Sequence, residues 1–373
     1  MLIDIAVIGN GPTARLATHA LCDCGEDVVM IGPDVDRSAD PRTTALMPSS
    51  VDALDTLGID VRTRATPLLD LRIETTGPFG IVSELFTAAD AGEAFLAQNL
   101  FIRDLMDIMP DVRQHKATVT GIQAAEDSVR IEMDNGQEIR ARLVVAADGL
   151  QSVAREAAGI RMRKKPLGRS ALCVPVRLER PHERLCIERY DDIGTLTLIP
   201  VAEHDASLIT IASPDEIAAL AAHSDETIER KLTRRQDAFG HIAFAGQKAV
   251  FPLALGFTPQ PARERVIVIG ESAHIAPPIA AQGWNMSVRD IMTLKSLLAA
   301  AAANGDDIGS QEVLDAYAPR RQLDVAGRLS AIGALAGVAT RPAGPQKLIR
   351  QAGLAAIGQF SGLKRGLMRA GLR

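Results

Sequence analysis

Aromatic side chains make up only 3% of the sequence: nine Phe, two Tyr and one Trp. So thin a supply offers no stacking platform for nucleic acid, and a net charge of −5 leaves no basic footprint for a polyanion. No nucleic-acid partner is expected. Cysteine is scarce as well. Cys22, Cys24, Cys173 and Cys186 contain no CxxC pair, and Cys22 and Cys24 fall in one helical pattern. They read as reduced thiols of a cytoplasmic protein. The seven histidines are scattered without paired-ligand spacing, so no metal is expected. Long apolar runs are missing too: the longest nearly uncharged stretch, Leu329 to Thr340, has 12 residues, too few to span a bilayer. A first strand beginning at Leu2-Ile3 leaves no signal peptide to expect. No repeat or low-complexity segment is present.

Acidic residues are absent from Val325 to Arg373, where eight Lys and Arg remain, which leaves −13 on the rest of the chain. Two readings of this apolar, basic tail stay open. It docks on a membrane surface or on partner enzymes, making the protein peripheral at an inner membrane, or it is a helix pair packed on the body with its cations solvated.

What is present begins with "LIDIAVIGNGPTARLATHALCDCGEDVVMIG", which reads as strand, glycine turn, helix, strand. Gly9 makes the tight turn, Gly11 lets backbone approach a pyrophosphate, and the small Ala14 lets helix and strand pack closely. The acidic residue expected to clasp a ribose after the second strand is replaced by Gly32, with Asp34 and Asp36 as substitutes. Thr43 to Leu57 has a helical period, and so has Phe101 to Met109. Val129 to Met133 followed by Asp134-Asn135-Gly136 is a hairpin signal. Buried parallel strands are expected at 3–8, 28–31, 143–147 and 266–269, with β-rich insertions between them.

Two further stretches carry chemistry. Asp148-Gly149 follows the apolar strand ending at Ala147, and Asp148 with Ser152 is suited to hydroxyls and to capping a helix. "GESAHIAPPIAAQGWN" puts Glu271 at the carboxyl edge of the sheet, where α/β folds bind ligands, and starts a helix near Gly283. His274 reads as a hydrogen-bonded core histidine. Trp284 is either loop packing or part of a pocket wall.

These three motifs, in this order and across nearly the whole chain, resemble the flavin-dependent aromatic hydroxylases of the para-hydroxybenzoate hydroxylase type. The ubiquinone-biosynthesis branch is the most similar. Gly9 to Ala14 resembles the GxGxxG turn, Asp148 to Arg155 the DG motif, and Gly270 to Asn285 the GD motif. "DPRTTALMPSSVDALDTLGI" is similar to the stretch whose Arg, here Arg42, lies against the flavin. "AQNLFIRDLM" is similar to the helix start whose Gln, here Gln98, contacts FAD. The sequence departs from the family at Gly32, at Ala281 in place of a Gly, and at Glu271 in place of an Asp.

The resemblance implies an α/β fold: an interrupted Rossmann-like FAD-binding domain (1–70, 98–165, 263–330), a β-rich substrate domain (71–97, 166–262) and a helical tail (331–373). It implies FAD held by Gly9, Gly11, Ala14, Arg42, Gln98, Asp148 and Glu271, with the ring near Pro278, Gly283, Trp284 and Asn285. The implied activity is an NAD(P)H- and O2-dependent monooxygenase, hydroxylating an aromatic, polyprenylated phenol through a flavin C4a-hydroperoxide. NAD(P)H comes from solution, because no second glycine turn is present. No side chain is singled out as catalytic acid or base. Two rivals are another flavoenzyme on this fold and a flavin-poor partner in a quinone-biosynthesis assembly.

Overall fold

The computed structural model describes residues 2–24, 27–38, 40–279, 281–339 and 345–372. Strand Leu2–Ile8 lies inside an eight-stranded sheet. It pairs in parallel with Val28–Ile31 on one side and with Glu138–Ala146 on the other, where Ile5 faces Leu143 and Ile8 faces Ala146. Val266–Val268 extends the parallel set beyond Ala146. Ile5 and Val7 point to a core shared with helices Pro12–Leu21 and Gln282–Asn304, while Ala6 and Ile8 point to the other face. Burial on both faces is why these strands read as continuous apolar runs. The strand expected at 143–147 is longer at its start: from Glu138 it first pairs antiparallel with Val129–Met133 around the Asp134-Asn135-Gly136 turn.

The second sheet has nine strands, with Asp70–Gly77 and Gly80–Thr87 at one end and Arg163–Leu178 near the other. Parallel pairing of Asp70–Gly77 with Leu185–Tyr190 joins the two stretches assigned to one β-rich domain. One face is covered by helices Pro214–Ala221 and Asp225–Thr233, through Ile217, Ile228 and Leu232. On the other face Ala171, Cys173 and Ile211 pack with Met286, Val325, Leu329 and Ile332, which belong to helices of the first domain and the long Gln311–Ala339 helix.

Four local expectations are corrected. Thr43–Leu46 is a strand, and the helix starts only at Pro48. The paired threonines favour extended backbone, and a residue before proline resists the helical region. Gln98 lies in strand Ala97–Phe101, ahead of helix Ile102–Ile108. That strand is pinned on both sides, by Thr43–Leu46 and Thr66–Leu68. Helix Pro12–Leu21 stops before Cys22 and Cys24. Helix Gln311–Ala339 runs unbroken past 331, so the tail boundary falls inside it. Helices Pro345–Gln359 and Ser361–Leu372 follow. Among the described residues no helix is long and apolar enough to cross a membrane.

Candidate active site

The glycine turn is built from backbone contact. Gly9 adopts φ +134° and donates to the Ile31 carbonyl at 2.8 Å. A Cβ there would stand 2.4 Å from the Ala147 carbonyl oxygen, so only glycine fits. Gly11 differs. Its backbone is extended (φ −83°, ψ 177°), and a Cβ built on it would meet nothing within 4 Å. The space beside Gly11 is open where Gly9 is closed. Ala14 is wholly buried against the sheet. The first N–H groups of helix Pro12–Leu21 point out of this turn, a ready anion site.

Gly32 has a physical reason. A Cβ there would lie 2.5 Å from the Gly9 carbonyl oxygen, so the acidic side chain expected at this place has no room. Asp34 turns instead to Lys116, at 2.6 Å, and Asp36 to the Ser38 N–H. A guanidinium takes the vacant side of the turn: Arg37 donates to the Asn10 side chain at 2.8 Å and to its carbonyl at 3.3 Å. Asn10 in turn donates to the Pro33 carbonyl. Sequence reasoning missed Arg37, whose only signal is a basic residue close behind the second strand.

Arg42 is held by Asp40 through bonds of 2.7 to 3.2 Å. That pairing, more than the charge of nearby Glu271, keeps the guanidinium firmly protonated. Burial pushes the Cys173 thiol up to about 11, against the pull of Arg42. Arg42, Glu271 and Cys173 therefore share one neighbourhood, where the second sheet faces the first domain. Glu271 itself is exposed.

Asp148 accepts from the Ser272 hydroxyl at 3.1 Å and from the Ala154 N–H at 3.2 Å, while Ser152 caps helix Val153–Ala157. Ser272 also accepts from the Gly149 N–H at 2.8 Å, which ties the DG and GD turns together. Arg155, 2% exposed, reaches the Ser272 carbonyl at 3.2 Å. The Gly270 turn is fixed from beneath. Its N–H donates to Asp290 at 2.9 Å, and the same carboxylate bonds His274 and Arg321, each at 2.7 Å. Burial works to raise Asp290, but His274, Arg321 and the Gly270 N–H together hold it below the usual carboxylate range. His274 is thus the hydrogen-bonded core residue expected. Asp290 and Arg321 were not legible, being 16 and 47 residues from it with no motif between.

Asn285 closes the site. Its Oδ1 accepts from the Met47 N–H at 2.9 Å and its Nδ2 donates to the Ala45 carbonyl at 2.8 Å, joining the Gln282–Asn304 helix to the Arg42 segment. Ala281 sits at φ +50°, a left-handed conformation that favours the Gly of the motif and strains an Ala by roughly 1 kcal/mol. Pro278 is exposed on the loop, and Gly283 has open space where a Cβ would stand. Gln98 Oε1 and Trp284 Nε1 are among the buried side-chain polar atoms of the described residues that have no hydrogen-bond partner. Buried polar groups are nearly always paired, and these two lie on the stretches that carry the candidate site. With the open space at Gly11 and Gly283, they fit an extended dinucleotide carrying a polar-edged ring.

A glycine turn on a central parallel strand, opening into a helix N-terminus, defines a nucleotide-binding architecture. The chain belongs to the family described as FAD binding domain, which matches residues 3–329. It is 28% identical to the ubiquinone hydroxylase UbiL of Rhodospirillum rubrum, over 98% of this chain and 88% of that one. It is 24% identical to the 3-demethoxyubiquinol 3-hydroxylase of Escherichia coli, over 99% and 98%. Among solved structures, p-nitrophenol 4-monooxygenase PnpA from Pseudomonas putida superposes with a TM-score of 0.81 at 20% identity, over 100% of this chain and 98% of that one. These findings bear out the resemblance drawn from the three motifs, the fold class, FAD as cofactor and the flavin-dependent monooxygenase class.

Proposed function

We propose that the protein hydroxylates the aromatic ring of a polyprenylated phenol in ubiquinone biosynthesis, using FAD, NAD(P)H and O2. The observation that carries this reading is end-to-end similarity to two hydroxylases named for ubiquinone-pathway compounds.

The helix N-terminus at Pro12 and the open face of Gly11 hold the pyrophosphate, with Arg37 adding positive charge. Asp148 and Glu271 serve the ribityl and phosphate side, and Gln98 offers its unpaired oxygen to a donor. Pro278, Gly283, Trp284 and Asn285 shape the place of the ring, against which Arg42 lies. Bound FAD supplies the activation of O2 and transfer of one oxygen atom to the substrate. The positive end of the Gln282–Asn304 helix, with its first backbone N–H groups, would supply positive charge to the place of the ring. The 1–70, 98–165 and 263–330 segments, the last continued by the unbroken Gln311–Ala339 helix, form the FAD-binding domain, and 71–97 with 166–262 the substrate domain.

The test is turnover of the flavin-loaded protein with polyprenylated and unprenylated phenols under NADH or NADPH, with products weighed by mass spectrometry. Gain of one oxygen by the prenylated phenol is the expected result. Hydroxylation of unprenylated aromatics alone would transfer the assignment to another flavoenzyme on this fold. The tail from 325 onward is read as the part that meets a membrane surface or pathway enzymes.

A further inference from the structure

Three neighbouring strands, Leu185–Tyr190, Thr195–Pro200 and Asp205–Ala212, lie in the middle of the second sheet, where both faces would ordinarily be buried. One face is: Leu196, Leu198 and Leu208 are at most 1% exposed. The other is not. Glu188 stands opposite Thr197, Thr197 opposite Ile209, and Ile209 opposite Cys173, so all four share a face. Cys173 is buried with Met286, Val325 and Leu329, whereas Ile209, Thr197, Ile199 and Glu188 are only half-buried. The helices that cover Cys173 thus leave a recess over the middle of the sheet.

The recess reaches the candidate site. Ile199, two residues along the same face from Thr197, packs against Ala45, Leu68 and Ala97, as does Ala281 of the loop before helix Gln282–Asn304. Glu188 is diagonal to Ile199, about 7–8 Å away. It brings a carboxylate to a surface of isoleucine, threonine and cysteine. Among the described residues no cation pairs with it, although a carboxylate withdrawn from water normally has such a partner. Its partner is instead Tyr190, whose hydroxyl donates to Oε1. Tyr190 is held in turn by helix Pro345–Gln359: the Arg350 guanidinium lies 5.5 Å from its ring centre and donates to Thr75 at 2.7 Å. Burial pushes the Glu188 carboxyl up, against the bond from Tyr190, and pushes Tyr190 up as well, so the hydroxyl stays a donor. Oε2 accepts from none of the described residues.

We propose that Glu188 is the catalytic base for the phenolic hydroxyl of the substrate, with Tyr190 as its positioning residue. The proposal rests on the phenolic substrate of the reading above and supplies the acid–base group that the three motifs do not contain. Oε2 accepts the hydrogen bond of the substrate hydroxyl. As a ring carbon takes up oxygen, the phenolic O–H bond breaks: its proton passes to Oε2 and its electron pair forms the C=O bond of a dienone. When that ring carbon releases its hydrogen to water as a proton, the C–H pair restores the aromatic ring, and the carbonyl oxygen takes the proton back from Glu188.

The test titrates flavin-loaded protein calorimetrically with 2-geranylphenol and with its methyl ether, and then measures turnover. Wild type binds the phenol about ten- to a hundredfold more tightly than the ether, the range of a hydrogen bond to a charged acceptor. E188L loses that preference and keeps wild-type circular dichroism and flavin content, since its substitution leaves no cation unpaired. E188Q, which accepts the hydrogen bond but not the proton, still binds the phenol, and its kcat falls about 100-fold or more with KM little changed. Y190F lowers kcat too, and adds nothing in the E188Q background. If E188L keeps the preference, or E188Q turns over at the wild-type rate, the assignment of Glu188 is overturned while the phenolic substrate stands. If wild type neither binds nor hydroxylates 2-geranylphenol, both fall. Additive losses in the double variant would overturn the role of Tyr190.

Discussion

Gly9 and Gly11 stand two residues apart in one motif, yet their surroundings assign them different work, and Ala substitutions separate the two. At Gly9 an added methyl meets the Ala147 carbonyl oxygen at 2.4 Å while φ stays at +134°. Backbone strain costs about 1–3 kcal/mol and overpacking about as much again, so G9A loses about 2–6 kcal/mol. Unfolding entropy near 2.1 cal/mol/K per residue makes each kcal/mol worth roughly 1.3 °C in a chain this long, giving a fall of roughly 3–8 °C. At Gly11 the same methyl meets nothing, and the backbone already suits any residue. G11A loses at most about 1 kcal/mol, the ordinary cost of Ala at a helix N-cap. Its effect is on the cofactor: Ala, and more so Leu, fills the space the pyrophosphate needs. Thermal unfolding of flavin-stripped protein, then visible flavin absorbance after reconstitution, measures both. If G11L melted as low as G9A, or kept FAD like wild type, the division of labour within the turn would be refuted.

Removing the Asp290 charge in D290N leaves Arg321 and His274 facing an amide, and urea denaturation should show a loss of about 3–5 kcal/mol. Because the folded-state pKa of Asp290 is depressed, its stabilisation is present above the ordinary carboxylate range near pH 4 and disappears as pH falls below it. D290N should therefore be less acid-sensitive than wild type; identical acid profiles would contradict that. In W284F the unpaired indole N–H is gone, so FAD affinity should drop about two- to tenfold, the range of one neutral hydrogen bond, with stability unchanged. Calorimetric titration showing equal affinity would mean that N–H never meets the cofactor.

The parallel sheet was legible because both its faces are buried, which leaves unbroken apolar runs such as Leu143 to Ala146. The three turns were legible because backbone contact restricts them to Gly or to short polar residues. Thr43–Leu46 and Gln98 were misread for one reason: a three-stranded sheet of strands 3 to 5 residues long is held by pairing between distant segments, and its periodicity is too brief to see. The supports of the site were hidden for a different reason. Asp290 under Gly270 and Arg37 over Asn10 are ordinary charged residues until folding brings them to a turn. The absence of an acid at 32 was visible, but its cause, the Gly9 carbonyl, was not.

The position of Leu2–Ile8 inside its sheet has a consequence for synthesis. Made before its parallel partners, this strand waits for Glu138–Ala146 and then Val266–Val268 before the parallel set is complete, and Asn285 must arrive before Met47 gains its partner. At about 5–20 residues per second, roughly a quarter of a minute to a minute separates the glycine turn from the residue that closes the site. Throughout that time an apolar strand edge is open to other chains. The newborn protein is thus at its most vulnerable while it is still on the ribosome, and a chaperone or an early encounter with FAD has the most to contribute there.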